Sequence, residues 1–263
     1  MAGCGRFIKG LEILINYVEE KIAILSDIHS NVFALEAVLD HGDRLGVTQW
    51  LNLGDILYGP IAPRATFELL QRYPFQTIQG NQDRQVYQKL GLATNPTLQF
   101  ILADLGQTPL DWLAALPSSL QINDELFACH GTPDNDEIYL LEDVNSGVNQ
   151  LRKDSEISEL LRGNQMPWIL CGHTHIPRHV QLASGQQIVN PGSVGLPSYQ
   201  DDLPVPHIME SGSPHARFCV MTQVNSGWQV EFHQVPYDFE GAIKQARKNG
   251  REDWCHYLAS GRT

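Results

Sequence analysis

Five short polar clusters carry the residues of this chain that are best suited to bind metal ions. Each cluster follows a short, largely apolar run. The clusters are Asp27-Ile28-His29, Gly54-Asp55, Gly80-Asn81-Gln82-Asp83, Cys129-His130-Gly131 and Gly172-His173-Thr174-His175. Oxygen ligands from Asp and Asn, combined with imidazole nitrogen from His, suit divalent ions such as Mn, Fe and Zn. The sequence therefore predicts a metal site that is assembled from distant segments.

Asp55 is the predicted bridge between two such ions. An isolated Gly-Asp pair usually marks a turn. Each of the other candidates also has an ordinary alternative, such as a helix-entry residue, a turn residue or a buried histidine whose ring is satisfied. The metal-site interpretation rests on the joint occurrence of the clusters, because every ordinary alternative would have to hold at matching positions.

The strands predicted before these clusters would bring them together. Lys21–Ser26 is nearly continuous in apolar residues, which is typical of a strand buried on both faces. Asp27 and His29 follow it at a spacing of two, so both side chains point to one side of the extended chain. Strands over Thr48–Leu53 and Phe75–Ile78 likewise end before the second and third clusters. Strands that alternate with helices predict an α/β fold, in which ligands collect beyond the carboxyl ends of the strands.

Helices are predicted between and after these strands. They span Val32–Leu45 with Asn31 as its N-cap, Pro63–Arg72, Gln85–Leu90, Pro96–Leu105, Pro109–Leu116, Val144–Arg162 and Tyr237–Asn249. Residues 84–117 contain no polar cluster and are predicted to form a helical cap. Residues 197–216 are rich in Pro, Asp, Gly and Ser and are predicted to form an irregular surface loop. Residues 1–20 are a predicted N-terminal appendage, and residues 21–263 a predicted single domain.

The composition is that of an ordinary globular protein. The chain has 263 residues, of which 42% are hydrophobic and 18% charged, and its formal net charge is −12. This acidic balance argues against broad nucleic-acid binding through a basic face, and no apolar run is long enough to span a membrane. The five Cys are odd in number without a CxxC pair, and the N-terminus has no signal-peptide pattern, so a cytoplasmic location is expected.

The order of the five clusters resembles that in the calcineurin-like metallophosphoesterase superfamily. The resemblance covers about Ile22 to Gln234 and implies a four-layer αββα sandwich with a two-metal site above the sheets. A closer resemblance is to the bacterial and archaeal group related to diadenosine tetraphosphatases and serine/threonine protein phosphatases. That closer likeness lies in the segments Asp27–Asn31, Gly54–Pro60 and Asn190–Gly195.

The resemblance also implies a set of ligands and catalytic residues. One ion would be held by Asp27, His29 and His175, and Asp55 would bridge to the other. The second ion would be held by Asn81, His130 and His173. Among these residues, Asp55, Asn81 and His130 are the predicted catalytic residues.

Gln82 departs from the pattern of the family. Many members have Gly-Asn-His-Asp or Gly-Asn-His-Glu, and the His is thought to protonate the leaving group. Gln can donate a hydrogen bond but cannot deliver a proton at neutral pH, so the departure bears on rate and substrate choice. His207 and His215 are candidates to supply the proton, and the alternative is that they are exposed loop histidines.

The predicted activity is that of a metal-dependent phosphoesterase that uses water activated by two divalent ions. Its partner would be a small phosphorylated substrate, and a phosphodiester, a phosphoanhydride of the nucleotide type and a phosphomonoester all remain open. Tyr58, Arg64, Gln82 and Ser193 are the predicted substrate-binding residues, although turn packing, a surface salt bridge and a turn hydroxyl explain Tyr58, Arg64 and Ser193 equally well. The alternative function is a catalytically weak metal-binding scaffold for protein interaction.

Overall fold

The computed structural model describes residues 20–224 and 227–263. The predicted appendage lies outside the described residues apart from residue 20. Within them the chain forms fourteen strands and eight helices. The strands are β1 (Lys21–Leu25), β2 (Gln49–Asn52), β3 (Phe75–Thr77), β4 (Ser119–Gln121), β5 (Leu126–Cys129), β6 (Glu142–Asp143), β7 (Gln150–Leu151), β8 (Trp168–Leu170), β9 (Arg178–Gln181), β10 (Gln187–Asn190), β11 (Ser198–Asp201), β12 (His207–Glu210), β13 (Ala216–Val224) and β14 (Gly227–Val235). The helices are α1 (Val32–Leu45), α2 (Pro63–Leu70), α3 (Asn81–Gln88), α4 (Pro96–Leu105), α5 (Gln107–Ala115), α6 (Asp154–Leu160), α7 (Phe239–Lys248) and α8 (Glu252–Ser260).

Two five-stranded sheets pack face to face in the centre of the molecule. The first has the order β14-β13-β1-β2-β3, and the second has the order β4-β5-β8-β10-β9. Ile24 and Leu51 of the first sheet share a buried cluster with Ala128, Leu170 and Val189 of the second. Since side chains alternate between the two faces of a strand, the remaining apolar residues cover the outer faces.

Helices cover both outer faces of this sandwich. Ala23 and Leu25 of β1 face a cluster that includes residues of α1, α2, α4 and α5. Ile169 of β8 and Ile188 of β10 pack in a separate cluster with Ile157 of α6. The order helix, sheet, sheet, helix confirms the predicted four-layer αββα sandwich.

The first strand and helix form where the sequence predicts them. Four of the five residues of β1 are buried, and the strand pairs in parallel with β2 and antiparallel with β13. Helix α1 begins after Asn31, whose side chain accepts a hydrogen bond from the Ala34 N–H at 3.1 Å. It ends at Gly46, whose φ of 72° suits the left-handed C-cap. These two caps confirm the predicted bounds Val32–Leu45.

The loops that follow the central strands meet at one end of the sandwich. Strands β1, β2 and β3 are mutually parallel, and so are β5, β8 and β10, so their carboxyl ends lie at common edges. Backbone hydrogen bonds join these loops, both within the first sheet and between the two sheets. The Asp27 N–H donates to the Gly54 carbonyl at 3.0 Å, and the Val194 N–H donates to the Ser26 carbonyl at 3.0 Å.

The predicted long helix Val144–Arg162 is wrong. Strands β6 and β7 form a hairpin there, and only α6 is helical. The hairpin turns at Gly147, which has a φ of 79° and donates its N–H to the Val144 carbonyl at 2.8 Å. A glycine in this left-handed conformation stops the helical repeat that the flanking residues favour.

The predicted irregular loop over residues 197–216 is also corrected. Strands β11 and β12 pair antiparallel within it, with Ser198 opposite Glu210. Ser198, Met209 and His207 are buried, so the inward positions of the hairpin are fixed by packing. Asp202, Pro204 and Pro206, which favoured a loop, lie in the turn between the two strands.

The helices predicted over residues 84–117 are present as α3, α4 and α5. Their buried residues Val86, Leu98 and Leu113 belong to the same apolar cluster as α1 and α2. The predicted closing helix corresponds to α7, and the following α8 was not predicted. Among residues 20–224 and 227–263, no helix is both long and apolar enough to cross a membrane.

Candidate metal centre

The first ligand cluster joins the loop after β1 to the loop after β8. It consists of Asp27, His29 and His175, all of which are buried. The Nε2 atom of His175 lies 3.4 Å from Asp27 Oδ1, and the Nε2 atom of His29 lies 4.0 Å from the same oxygen. The two Nε2 atoms are 3.1 Å apart. The three side chains therefore converge on one point.

Backbone carbonyls fix the ring nitrogens of this cluster. His29 donates from Nδ1 to the Tyr58 carbonyl at 3.0 Å, and His175 donates from Nδ1 to the Leu196 carbonyl at 2.7 Å. Burial lowers the pKa of His29 to about 4, and the neighbouring His175 adds to this effect. A neutral ring that donates from Nδ1 carries a lone pair on Nε2. The Nε2 lone pair of His29 faces His175 Nε2 beside Asp27 Oδ1, which has no hydrogen-bond partner, so a bound cation fits this point.

The second cluster consists of Asp55, His130 and His173. His130 donates from Nδ1 to the Leu53 carbonyl at 2.8 Å, and its Nε2 atom lies 3.5 Å from Asp55 Oδ2. Burial by itself would lower the pKa of His130, but the Asp55 carboxylate outweighs it and raises that pKa to about 10. Burial and the neighbouring His130 lower the pKa of His173 to about 4. Without a metal, His130 therefore carries the positive charge of this cluster.

Asp55 and Asn81 lie between the two groups of histidines. The negative charge of Asp55 favours the protonated form of His29 in the first cluster and of His130 and His173 in the second, which partly opposes the lowered pKa of His29 and His173. Asp55 is therefore close to both clusters. Asn81 is the first residue of α3, and its side-chain carbonyl has no hydrogen-bond partner among the described residues. A buried acceptor without a donor is costly, and a divalent cation would satisfy it.

Most of the predicted ligands have an unusual backbone. Five of the seven are non-glycine residues in the left-handed region, namely Asp27 (φ 55°), His29 (φ 49°), Asp55 (φ 55°), His173 (φ 69°) and His175 (φ 60°). Such conformations cost free energy and persist where the surrounding structure imposes them, which is typical of functional sites. The strain therefore marks the same residues as the ligand geometry.

Asp83 holds the Asp55 loop in place. Its buried carboxylate accepts N–H groups of Asp55 at 2.8 Å, Ile56 at 2.9 Å and Gly80 at 2.9 Å. Burial and the Asp55 carboxylate raise the pKa of Asp83 to about 7. Gly80 is required because a Cβ atom there would collide with Asp55. The role of Asp83 was not predicted, and its signal was its position two residues after Asn81.

The segment that contains both ligand clusters matches a known protein family. Residues 21–208 match the calcineurin-like phosphoesterase superfamily domain. The chain belongs to the calcineurin-like phosphoesterase superfamily. It is therefore a hydrolase, a metal-dependent phosphoesterase, and its two ligand clusters are the candidate sites for the divalent metals that the family uses.

Individual relatives agree with this assignment. The chain is 26% identical over 264 residues to the uncharacterized protein MJ0912 of Methanocaldococcus jannaschii, which covers 90% of this chain and 96% of the relative. The crystal structure of a metallophosphoesterase from Sphaerobacter thermophilus is 25% identical with a TM-score of 0.71, covering 92% of this chain and 99% of that one. A proposed diadenosine tetraphosphatase shares the fold at 16% identity and a TM-score of 0.52, covering 84% and 96%.

Two of the four predicted substrate-binding residues of the phosphoesterase line the cleft at the metal centre. They are Tyr58 and Gln82. Arg64 lies elsewhere, because its Nε donates to the Asp104 carbonyl at 2.9 Å at the end of α4. Ser193 is buried beneath the centre, where its hydroxyl donates to the Asp27 carbonyl at 2.8 Å. Arg64 and Ser193 do not line this cleft.

Neither His207 nor His215 faces the cleft of the phosphoesterase. His207 is buried, which excludes the exposed-loop alternative; it donates from Nδ1 to the Val205 carbonyl, and its Nε2 atom lies 3.0 Å from the Tyr139 hydroxyl. Tyr139 lines the cleft, and its ring centroid lies 4.7 Å from that of His173. His207 can therefore act only through Tyr139.

One wall of the cleft comes from helix α8, which sequence reasoning missed. Arg251, Trp254 and Tyr257 contribute to it. Trp254 packs edge-on against His29 with ring centroids 5.9 Å apart. Arg251 pairs with Asp253 at 2.6 Å and also bonds Thr97, so its charge is already neutralised. No spacing rule could connect these residues to the clusters, because tertiary packing alone brings α8 to the site.

Proposed function

We propose that this phosphoesterase binds two divalent ions and hydrolyses phosphodiester or nucleotide-type phosphoanhydride bonds. Asp27, His29 and His175 would hold one ion, and Asn81, His130 and His173 would hold the other. Asp55 would contact both. The observation that carries the proposal is the pair of ligand clusters, in which Asp27 Oδ1, Asn81 Oδ1 and His130 Nε2 are buried without a hydrogen-bond partner.

The chain prepares this centre before any ion binds. When bound, a pair of divalent ions supplies Lewis acidity and an activated water for attack on phosphorus. Because carbonyls already fix the Nδ1 atoms of His29, His175 and His130, the rings need no reorientation. Two ions carry +4 and the two carboxylates carry −2, which leaves about +2 in a chain of net charge −12. A phosphate is therefore attracted locally.

The leaving group receives little help from the chain at the position of Gln82. Gln82 lines the cleft and donates its backbone N–H to Asp55 Oδ1 at 2.9 Å. Its side chain has no proton to transfer at neutral pH. The cleft also presents the rings of Tyr139 and Tyr199, whose hydroxyls are 2.9 Å apart. Substrates with good leaving groups, such as a nucleotide phosphate, therefore suit this site best.

The proposal is tested by comparing metal-free protein with protein loaded with Mn, Fe or Zn. We expect hydrolysis of bis-p-nitrophenyl phosphate and of a dinucleoside polyphosphate only after loading, with two ions per chain by elemental analysis. Loaded protein that turns over none of these substrates, nor p-nitrophenyl phosphate, would instead favour the binding-scaffold function.

A further inference from the structure

A second cavity lies beside the metal centre and opens onto it. Its volume is about 560 Å³, and the cleft directly at the centre measures about 200 Å³. The two share Asn81, Tyr139, His173 and Asp201 as lining residues. A phosphate held at the centre would therefore lie between the two spaces, and one substituent on phosphorus would point into each.

The wall of this second cavity is mixed in character. Ile138, Val144, Leu203 and Pro204 make one part of it apolar. Leu203 stands at the rim and is 74% exposed, which is unusual for a large apolar side chain. The side-chain amide of Asn135 also lines the cavity. An apolar surface with a few polar groups is typical of sites that bind an organic group.

Arg152 gives the cavity a guanidinium, whose charge also acts on the buried carboxylate of Glu142. Its Nε donates to the Tyr139 carbonyl at 3.1 Å, which fixes the guanidinium in the wall. Among residues 20–224 and 227–263, the terminal nitrogens of Arg152 have no hydrogen-bond partner and no carboxylate at salt-bridge distance. Arg251 in the neighbouring cleft differs, since Asp253 already pairs with it. An anionic group of a ligand would therefore bind at Arg152.

Carboxylates lie near Arg152, but among the described residues none is at salt-bridge distance from it. Glu142 pairs with Arg178, and Asp143, Glu156 and Glu159 line a separate pocket beside Arg152. Glu137 pairs with Arg84 at 2.9 Å. Asp201 accepts the Leu203 N–H at 3.0 Å, and its remaining acceptor capacity is open to the hydroxyl of a sugar. The cavity thus combines an apolar surface, hydrogen-bonding groups and one unpaired guanidinium.

We propose that this cavity binds the second arm of a two-armed substrate, and that this arm is nucleotide-like. An organic group of nucleoside size would pack on Leu203 and Pro204, and a further anionic group would pair with Arg152. This assignment rests on the proposed function, in which the scissile phosphate lies at the metal centre. A simple phosphomonoester would leave the cavity empty.

Ligand binding to metal-free protein tests the cavity separately from catalysis. Adenosine 5′-diphosphate and adenosine are the probes, measured by calorimetry. Arg152→Gln keeps a donor for the Tyr139 carbonyl and removes the charge, so we expect it to weaken binding of the diphosphate by at least about tenfold while sparing adenosine. Arg162→Gln is the matched control, because Arg162 lies outside the cavity. Equal diphosphate affinity in wild type and Arg152→Gln, or no binding by wild type, would overturn the assignment.

A second variant tests the apolar part of the cavity wall. Leu203→Asp should weaken both probes, and Leu90→Asp, at an exposed leucine outside the cavity, should weaken neither. In metal-loaded protein, both cavity variants should raise KM for a dinucleoside polyphosphate and leave p-nitrophenyl phosphate unchanged. An unchanged KM would reject the cavity and retain the phosphoesterase function. Binding that depends on Arg152 in a protein without any turnover would reject the phosphoesterase function and retain the cavity.

Discussion

The two ligand clusters share one edge of the sandwich but handle charge in opposite ways. In the first, the Nε2 atoms of His29 and His175 lie 3.1 Å apart beside Asp27, and burial lowers the pKa of His29 to about 4. In the second, the Asp55 carboxylate keeps a proton on His130. An incoming ion would meet an unprotonated His29 ring in the first cluster, whereas in the second it would have to displace the proton of His130. Similar ligand chemistry can therefore give two sites with different metal affinities.

The supports of the two clusters differ as well. Asp83 fixes the Asp55 loop through three backbone N–H groups within one sheet. The Asp27 loop is instead fixed from the other sheet, because Ser193 follows β10 and donates its hydroxyl to the Asp27 carbonyl. The first cluster therefore depends on the packing of the two sheets, and the second depends on one buried carboxylate.

The largest expected effect is that of removing the shared carboxylate. Asp55→Asn should lower the occupancy of both ions and reduce kcat by at least about 10³-fold, since it removes negative charge between two cations. Asp27→Asn should lower the occupancy of only one ion. Elemental analysis and kinetics of both variants provide the comparison. Two tightly held ions in Asp55→Asn would mean that Asp55 does not bridge.

The pH dependence of metal affinity should separate the two clusters. The pKa of metal-free His130 is raised to about 10, so its proton competes with the metal below that pH. Affinity at the second cluster should fall about tenfold for each unit that the pH drops below 10. The pKa of His29 is lowered to about 4, so this residue competes only below pH 4. Metal titrations between pH 6 and 9 should thus show an affinity that depends steeply on pH at the second cluster and less steeply at the first. An equal pH dependence of affinity at both sites would refute the difference.

The supporting residues should give smaller and unequal effects. Both carboxylate oxygens of Asp83 accept backbone N–H groups, and Asp83→Asn would replace one of these oxygens with an NH₂ group that cannot accept. This change should cost about 1–3 kcal/mol of unfolding free energy. Ser193→Ala removes two hydrogen bonds and should cost about 1 kcal/mol. Denaturant unfolding of the metal-free variants measures both. If Asp83→Asn lost less unfolding free energy than Ser193→Ala, Asp83 would not be the stronger of the two supporting residues.

Gln82→His should have a selective effect, confined to one class of substrate. A histidine there would restore a proton donor, which typically contributes about 10²–10⁴-fold when the leaving group needs it. We expect turnover of alkyl phosphoesters to rise by about tenfold or more, with little change for aryl esters and phosphoanhydrides. Both substrate classes are assayed on both proteins at equal metal load. An equal change on all substrates would show that Gln82 does not occupy the position of the acid.

The sequence predicted the parts of the centre that depend on strand ends. Asp27 and His29 follow a buried strand and Asn31 caps the next helix, as local rules predict. The extended chain assumed for Asp27 and His29 is wrong, since both have a left-handed backbone. The left-handed backbone at these residues was not predictable, because only the packed loops impose it. The raised pKa of His130 likewise depends on how close Asp55 lies in the folded chain.

The walls of the cleft were beyond sequence reasoning for a different reason. Trp254 reaches the site because α7 and α8 pack against Ile61 and Leu196, which are far from them in the chain. The hairpin β11–β12 was missed because the Pro and Asp residues of its turn resemble those of a loop. Arg152 fell inside the region mistaken for a long helix. Long-range packing, and not local pattern, therefore sets the substrate-facing surface.

The most direct test of the two-cluster centre is anomalous X-ray scattering from crystals grown with Mn. The account predicts two peaks per chain, one among Asp27, His29 and His175 and the other among Asn81, His130 and His173, with Asp55 in contact with both. A single peak, or peaks that do not contact these residues, would contradict it.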